Sequence, residues 1–315
     1  VSHPEQTAQH SVPSGTPSNT AARDALWGWL IGLLGGVLGL TPWWITGATL
    51  PLQNLWATQV MPAQMPTTLL PLSQYEATTI LALLTVGGAA AGLAVRIWSP
   101  DRRRLVTWCA LSGVLVVHFA ATIQSFVVLR EGLLPGSLSD LYFGGLLAGV
   151  IGCVLAALLA LLLIASPSTA KATIGFGLMA IPVTSWAVVW VVSTVGFLSV
   201  PAAVPTVARW VPAVLVGCAL AWCGLRPPRR TVAWVLNLVF LWLLPALFTA
   251  VQSVLGTRVL AGNIPEMLSM GRDVFGRALG PDGAALPTIL LALAIGLTGV
   301  GARVVVARRN SPAVG

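Results

Sequence analysis

Long apolar runs alternate along this chain with short polar breaks. Eight runs, near 25–45, 76–98, 105–129, 141–165, 172–198, 208–225, 231–255 and 285–306, are long enough to cross a bilayer core, which takes about 20 apolar residues per helix. The pattern predicts an all-α, polytopic integral membrane protein. An even number of spans places both termini on one side.

The polar breaks set the orientation. With the N-terminus inside, the inner segments hold Arg23, Arg96, Arg102, Arg103, Arg104, Lys171, Arg226, Arg229, Arg230, Arg303, Arg308 and Arg309. The outer segments hold only Arg130, Arg209, Arg258, Arg272 and Arg277. The positive-inside rule therefore predicts N-in and C-in, with both termini cytoplasmic. Tryptophans agree: Trp27, Trp29, Trp98, Trp108 and Trp234 fall at inner ends, and Trp43, Trp44 and Trp210 at outer ends. Residues 1–24, rich in Ser, Thr, Pro and Gln, read as a disordered cytoplasmic tail. The first apolar run is too long for a signal peptide and lacks a clear cleavage site, so it reads as an uncleaved helix.

Composition narrows the class. Only 8% of residues are charged, against roughly 25% in soluble domains. This excludes a soluble enzyme, a secreted disulfide scaffold and a disordered chain. The net charge of +8 fits anionic inner-leaflet lipids, and no basic run interleaves with aromatics as nucleic-acid binding would need. Lys171 is the only lysine, and Ala, Gly, Val, Arg and Pro abound. That codon bias suggests a high-GC bacterium, hence a bacterial inner membrane, and the initial Val fits a GTG start. Cys109, Cys153, Cys218 and Cys223 lie in apolar runs and read as small packing residues.

Two segments resemble one another. Arg103–Trp108 reads RRLVTW and Arg229–Trp234 reads RRTVAW. Gln124-Ser125 precedes Arg130 as Gln252-Ser253 precedes Arg258. This predicts an internal repeat of two parallel four-helix halves, 25–168 and 169–307, related by a pseudo-twofold along the membrane normal. A short tail, 308–315, follows.

Intramembrane polar groups are few. His118, midway along span 3, is the one ionisable group near a span centre. Gln124, Gln252 and Asn237 are buried amide candidates, as substrate contacts or as interhelical bonds. Pro182 and Pro245 are hinge candidates. Gly28, Gly32 and Gly36, Gly88 and Gly92, and Gly145 and Gly149 form small-xxx-small rows for helix packing, with a second copy or membrane-protein partner on span 1 as the sharper use.

The outer loops carry amphipathic patterns. Leu52, Leu55, Trp56 and Val60 predict a short interfacial helix in the loop 47–75. Asn263 and Pro265 predict a helix start, with Met267, Leu268, Val274, Phe275 and Ala278 on one side and Glu266, Arg272, Asp273 and Arg277 elsewhere.

Function is less legible. The histidines are His3, His10 and His118, which offer no metal set, and nothing implies a cofactor. The outer carboxylates Glu76, Glu131, Asp140, Glu266, Asp273 and Asp282 are scattered, and no hydrolase or nucleotide-binding motif occurs. Three readings follow, in this order. The first is a permease- or transporter-like protein for an apolar or lipid-like substrate. The second is a non-enzymatic scaffold subunit of a cell-envelope or division complex. The third is an enzyme acting on a lipid-linked substrate at the outer face.

Overall fold

The computed structural model describes residues 17–98, 100–196, 199–257, 263–280 and 285–309. His3, His10, Arg258, Asp282 and the tail to residue 16 lie outside the described residues. The chain is all-α, with ten helices among the described residues: α1 Pro17–Ile45, α2 Ala77–Trp98, α3 Arg103–Gly132, α4 Ser137–Ala165, α5 Thr169–Val195, α6 Ala203–Ala208, α7 Val211–Cys223, α8 Pro228–Gly256, α9 Ile264–Leu279 and α10 Ala285–Arg309. Among the described residues, eight segments are long and apolar enough to cross a membrane, α6 and α7 counting as one. This is a multi-pass membrane protein.

Local chemistry explains departures from the expected spans. Helix α1 begins at Pro17, so residues 17–24, expected in a disordered tail, are helical, and the first candidate span starts at Thr20. The sixth span is interrupted at Arg209–Trp210. Pro212 has no N–H to give the Ala208 carbonyl, so the helix restarts there. No helix covers 52–60. That loop is extended, with isolated bridges Thr49–Thr67 and Trp56–Leu133. Pro51, Pro62, Pro66 and Pro71 block a helical ladder. Leu52 stays exposed and Leu55, Trp56 and Val60 part-buried, while the leucines flanking that stretch turn inward. Leu50, Leu70 and Leu72 are buried in the core with Leu40, Leu83 and Leu84.

Glycine lets the first four helices approach closely. A Cβ on Gly28 would lie 2.7 Å from the Val106 carbonyl oxygen, and one on Gly32 would strike the Ala110 carbonyl. These residues seat α1 on α3. Gly35 and Gly39, one step round α1, seat it on α2 at Ala91, Leu83 and Gly87. Gly88 and Gly92 press α2 against Ala157 and Leu161 of α4. In the later half, Gly217 of α7 meets Ala292 and Ile295, and Gly299 of α10 meets Ala221.

The packed pairs α1·α2, α1·α3, α2·α3, α2·α4 and α3·α4 have counterparts in α5·α7, α5·α8, α7·α8, α7·α10 and α8·α10. Between the halves the pattern differs. Helix α5 packs on α1, α2 and α4, whereas among the described residues α1 packs closely on neither α7 nor α10. A twofold would pair α1 with α7 and α10 as α5 pairs with α2 and α4, and such close packing is not made among the described residues.

Arginines close one face of the bundle. Arg96, at the end of α2, donates to the carbonyls of Ile164 and Ser166 at the end of α4 and lies 4.8 Å from the Trp222 ring centroid. Arg303 of α10 donates to the carbonyls of Ala221 and Trp222. Both cations meet carbonyls left unpaired at helix C-termini. The loops 46–76 and 133–136 meet at the opposite end, where the Leu134 N–H donates to the Leu55 carbonyl and the Ala57 N–H to the Gly132 carbonyl.

Candidate functional site

At the loop face the fold is held by polar clamps from helix ends. Gln124 accepts a hydrogen bond from the Leu69 N–H at 2.9 Å and donates to the Thr67 carbonyl at 3.0 Å. Ser125 accepts from the Leu70 N–H. The indoles of Trp43 and Trp44 donate to the Thr68 and Leu69 carbonyls. Extended backbone inside a protein leaves N–H and C=O groups that must find partners. The Gln-Ser pair of α3 supplies them.

The glutamine of the second Gln-Ser pair clasps the next stretch of the same segment, while Ser253 donates to the Thr249 carbonyl of its own helix. Gln252 of α8 accepts from the Thr78 hydroxyl at 2.8 Å and donates to the Tyr75 carbonyl at 3.1 Å. It thereby ties the halves together. A second tie is Trp186 of α5, which donates to the Gly39 carbonyl of α1 at 2.9 Å.

Between these ties the loop-face ends of α4 and α8 stand apart. A cavity of about 680 Å³ opens there, at the seam of the halves. One wall is the α4 stripe Leu138, Leu141, Tyr142, Gly145, Leu146, Gly149, Val150 and Cys153. These residues recur at helical spacing, so they share one face. Ala77 and Ile80 of α2, with Leu55 of the loop, add to the lining, and Val254 and Leu255 of α8 face α4. Ile264 and Met267 of α9 complete it. Gly145 and Gly149 do not pack a helix, contrary to the sequence expectation. An added Cβ would meet nothing within 4 Å at either. The motif permits close approach, but no helix of the described residues arrives.

Helix α9 matches the expected amphipathic helix. Asn263 caps it by accepting from the Glu266 N–H, and Pro265 sits in its first turn. Glu266, Arg272, Asp273 and Arg277 lie, by their spacing, on the side away from Ile264 and Met267. α9 packs on α8, with Gly271 against Val254.

The polar part of the lining is uncharged: Asn54, Gln74, Tyr142 and Thr257. Tyr142 donates to Gln53 at 2.6 Å, and Gln53 is in turn fixed on the Leu72 carbonyl. Asn54 donates to the Tyr75 hydroxyl at 3.2 Å, and Thr257 to the Ser253 carbonyl. The Gln74 side-chain amide has no partner among the described residues. Sequence reading missed these four groups. They lie outside or at the edges of spans, and only the fold assembles them.

The other sequence candidates lie elsewhere. His118 is fully buried on α3, neither ring nitrogen has a hydrogen-bond partner, and it does not line the cleft. Thr122, one turn nearer the loop face, also has a buried, unpartnered hydroxyl. Asn237 is buried on α8, donates to the Ala233 carbonyl and rests its unpaired Oδ1 on Gly177 of α5. Pro182 and Pro245 sit inside the continuous helices α5 and α8. The four cysteines are free, and Cys153 lines the cleft. No group of three or more metal-ligating side chains occurs among the described residues. No family model, curated protein or solved structure matches this chain.

Proposed function

We propose that this is a transporter-like membrane protein that takes a lipid-like amphiphile into the loop-face cleft. One observation carries the reading: an apolar cavity of ligand size, walled by a glycine face that no described element covers and bordered by an amphipathic helix. The surrounding features suit it. The cleft lies between two four-helix units, where transporters built from repeats place substrate. The matching helix pairs within the halves, and the two glutamines gripping one loop segment, support descent by duplication. The arginines gathered at the opposite face support a cytoplasmic orientation for both termini, in contact with anionic inner-leaflet lipids of a bacterial inner membrane. Pro182 and Pro245 are the hinge candidates between the units.

The scaffold reading keeps one observation in its favour. The most apolar windows of α8 and α10 are only 17% and 11% buried, against 67% for α2. A membrane partner would cover such faces, as would lipid tails. The enzyme reading gains nothing, because no described carboxylate lines the cleft.

The test is reconstitution into vesicles with a fluorescent lipid, following its movement between leaflets. The wild type is expected to accelerate movement over protein-free vesicles, and Gly149→Trp, which fills the cleft, to abolish the gain. Lipid retained at stoichiometry but never moved would replace transport by a lipid-binding scaffold.

A further inference from the structure

The cleft's polar groups restrict what its occupant carries as a headgroup, and this step rests on the lipid reading above. Every described lining residue is uncharged. Burying a phosphate against such a lining would strip its water and give back no charge-assisted bond. Arg130, on the same face of the bundle, is already paired with Asp140 at 2.6 Å and lies over the Phe143 ring. The charged side of α9 points away from the cleft. What the lining does offer is a matched donor and acceptor. The Gln74 amide carries both and has no partner among the described residues. Asn54, whose NH₂ is engaged by Tyr75, has its Oδ1 left to accept. Hydroxyl groups, which donate and accept through one oxygen, complement that pair.

We infer that the cleft binds an amphiphile with an uncharged, hydroxyl-bearing headgroup, its chains lying along the Gly145–Gly149 face and its hydroxyls meeting Gln74 and Asn54. Diacylglycerol is the simplest member of that class, and phosphatidic acid with the same chains is its charged counterpart.

The full-length protein in detergent micelles is exposed to photoactivatable diacylglycerol or to photoactivatable phosphatidic acid with identical acyl chains. Labelled peptides are mapped by mass spectrometry. The expected result is labelling of the 138–153 and 263–280 peptides by diacylglycerol at about ten times the yield of phosphatidic acid. Gln74→Leu is expected to lower diacylglycerol labelling severalfold, and Gln74→Arg to shift the preference toward phosphatidic acid. Equal or stronger labelling of the cleft by phosphatidic acid in the wild type overturns the headgroup assignment and leaves the lipid cleft standing. Labelling of neither peptide by either probe removes the lipid cleft, and the assignment falls with it.

Discussion

Two glycine rows in this protein share a sequence signature and have opposite surroundings. On α1, Gly28, Gly32 and Gly36 are pressed against α3, and Gly35 and Gly39 against α2. On α4, Gly145 and Gly149 face a cavity. A small residue every fourth position lets something come within backbone distance, but does not say what. On α1 both rows are filled by the chain itself, which removes the basis for a partner docking there. On α4 the row is left to whatever enters from outside. The difference arises from α4's supports. Ala157 and Leu161 fix its basic-face half on Gly88 and Gly92 of α2, while nearer the loops it is held on the α3 side by Phe143, edge-on to Phe126 at 5.1 Å.

The sharpest way to break this comparison is the same substitution in each row. Gly32→Leu drives a side chain into the Ala110 backbone, which cannot rotate away as a side chain could. Overpacking of this kind costs about 1–3 kcal/mol or more. The expected outcome is loss of monodisperse protein in detergent. Gly145→Leu meets open space and replaces a poor helix former by a good one, a gain of about 0.5–1 kcal/mol. It is expected to fold with an unchanged or slightly higher unfolding temperature and to lose co-purifying amphiphile. If Gly145→Leu unfolds as Gly32→Leu does, protein occupies the α4 face and the cleft does not exist in solution.

The same contrast shows what could be read in advance. The eight spans, the basic face and α9 follow from apolar length, arginine placement and a cap at Asn263, all local signals. Within the loop 47–75, Leu52, Leu55, Trp56 and Val60 fit a helical face and predict a short helix that the structure lacks. The prolines, and the backbone bonds that Leu55 and Ala57 make with Leu134 and Gly132, hold that stretch extended. The cleft could not be read at all. Its wall is an ordinary apolar stripe, and its polar groups come from three separate segments. His118 is the ionisable group of the interior by sequence, yet it is buried on α3 outside the cleft. The pseudo-twofold finds no support in the helix packing for a related reason: similarity between two sequence segments does not set how helices dock.

A smaller effect sharpens the comparison between the two clamps. Gln124 holds part-buried backbone, and removing it leaves the Leu69 N–H without a partner. Gln252 makes exposed bonds to Tyr75 and Thr78, where water can replace it. An orphaned, part-buried donor costs about 1–3 kcal/mol, while a solvated hydrogen bond contributes about 0.5–1.5. Hydrogen exchange is expected to speed up at Leu69 and Leu70 by about tenfold or more in Gln124→Ala. In Gln252→Ala those amides should exchange as in the wild type, with the change confined to the first turn of α2. Equal responses at Leu69 in both variants would mean that the segment 67–78 opens as one unit, with each glutamine holding all of it.

The smallest expected effect concerns the ion pair at the loop-face end of α4. Arg130 and Asp140 are 2.6 Å apart, but their side chains are 59% and 60% exposed. Pairs this open contribute about 0–1 kcal/mol and weaken with salt. If the packing on α2 and α3 sets the stance of α4, breaking the pair changes little. Asp140→Asn is then expected to move the unfolding temperature by no more than a degree or two, with diacylglycerol labelling of the 138–153 peptide as in the wild type. The alternative is that the pair pulls α4 toward α3 and holds the cleft open. Asp140→Asn would then reduce labelling severalfold without a matching loss of stability, and high salt would reproduce the effect in the wild type. That result would shift the explanation of the two glycine rows from helix packing to a surface charge. Unchanged labelling in both low and high salt would leave the packing of α4 on α2 and α3 as the cause of the open face.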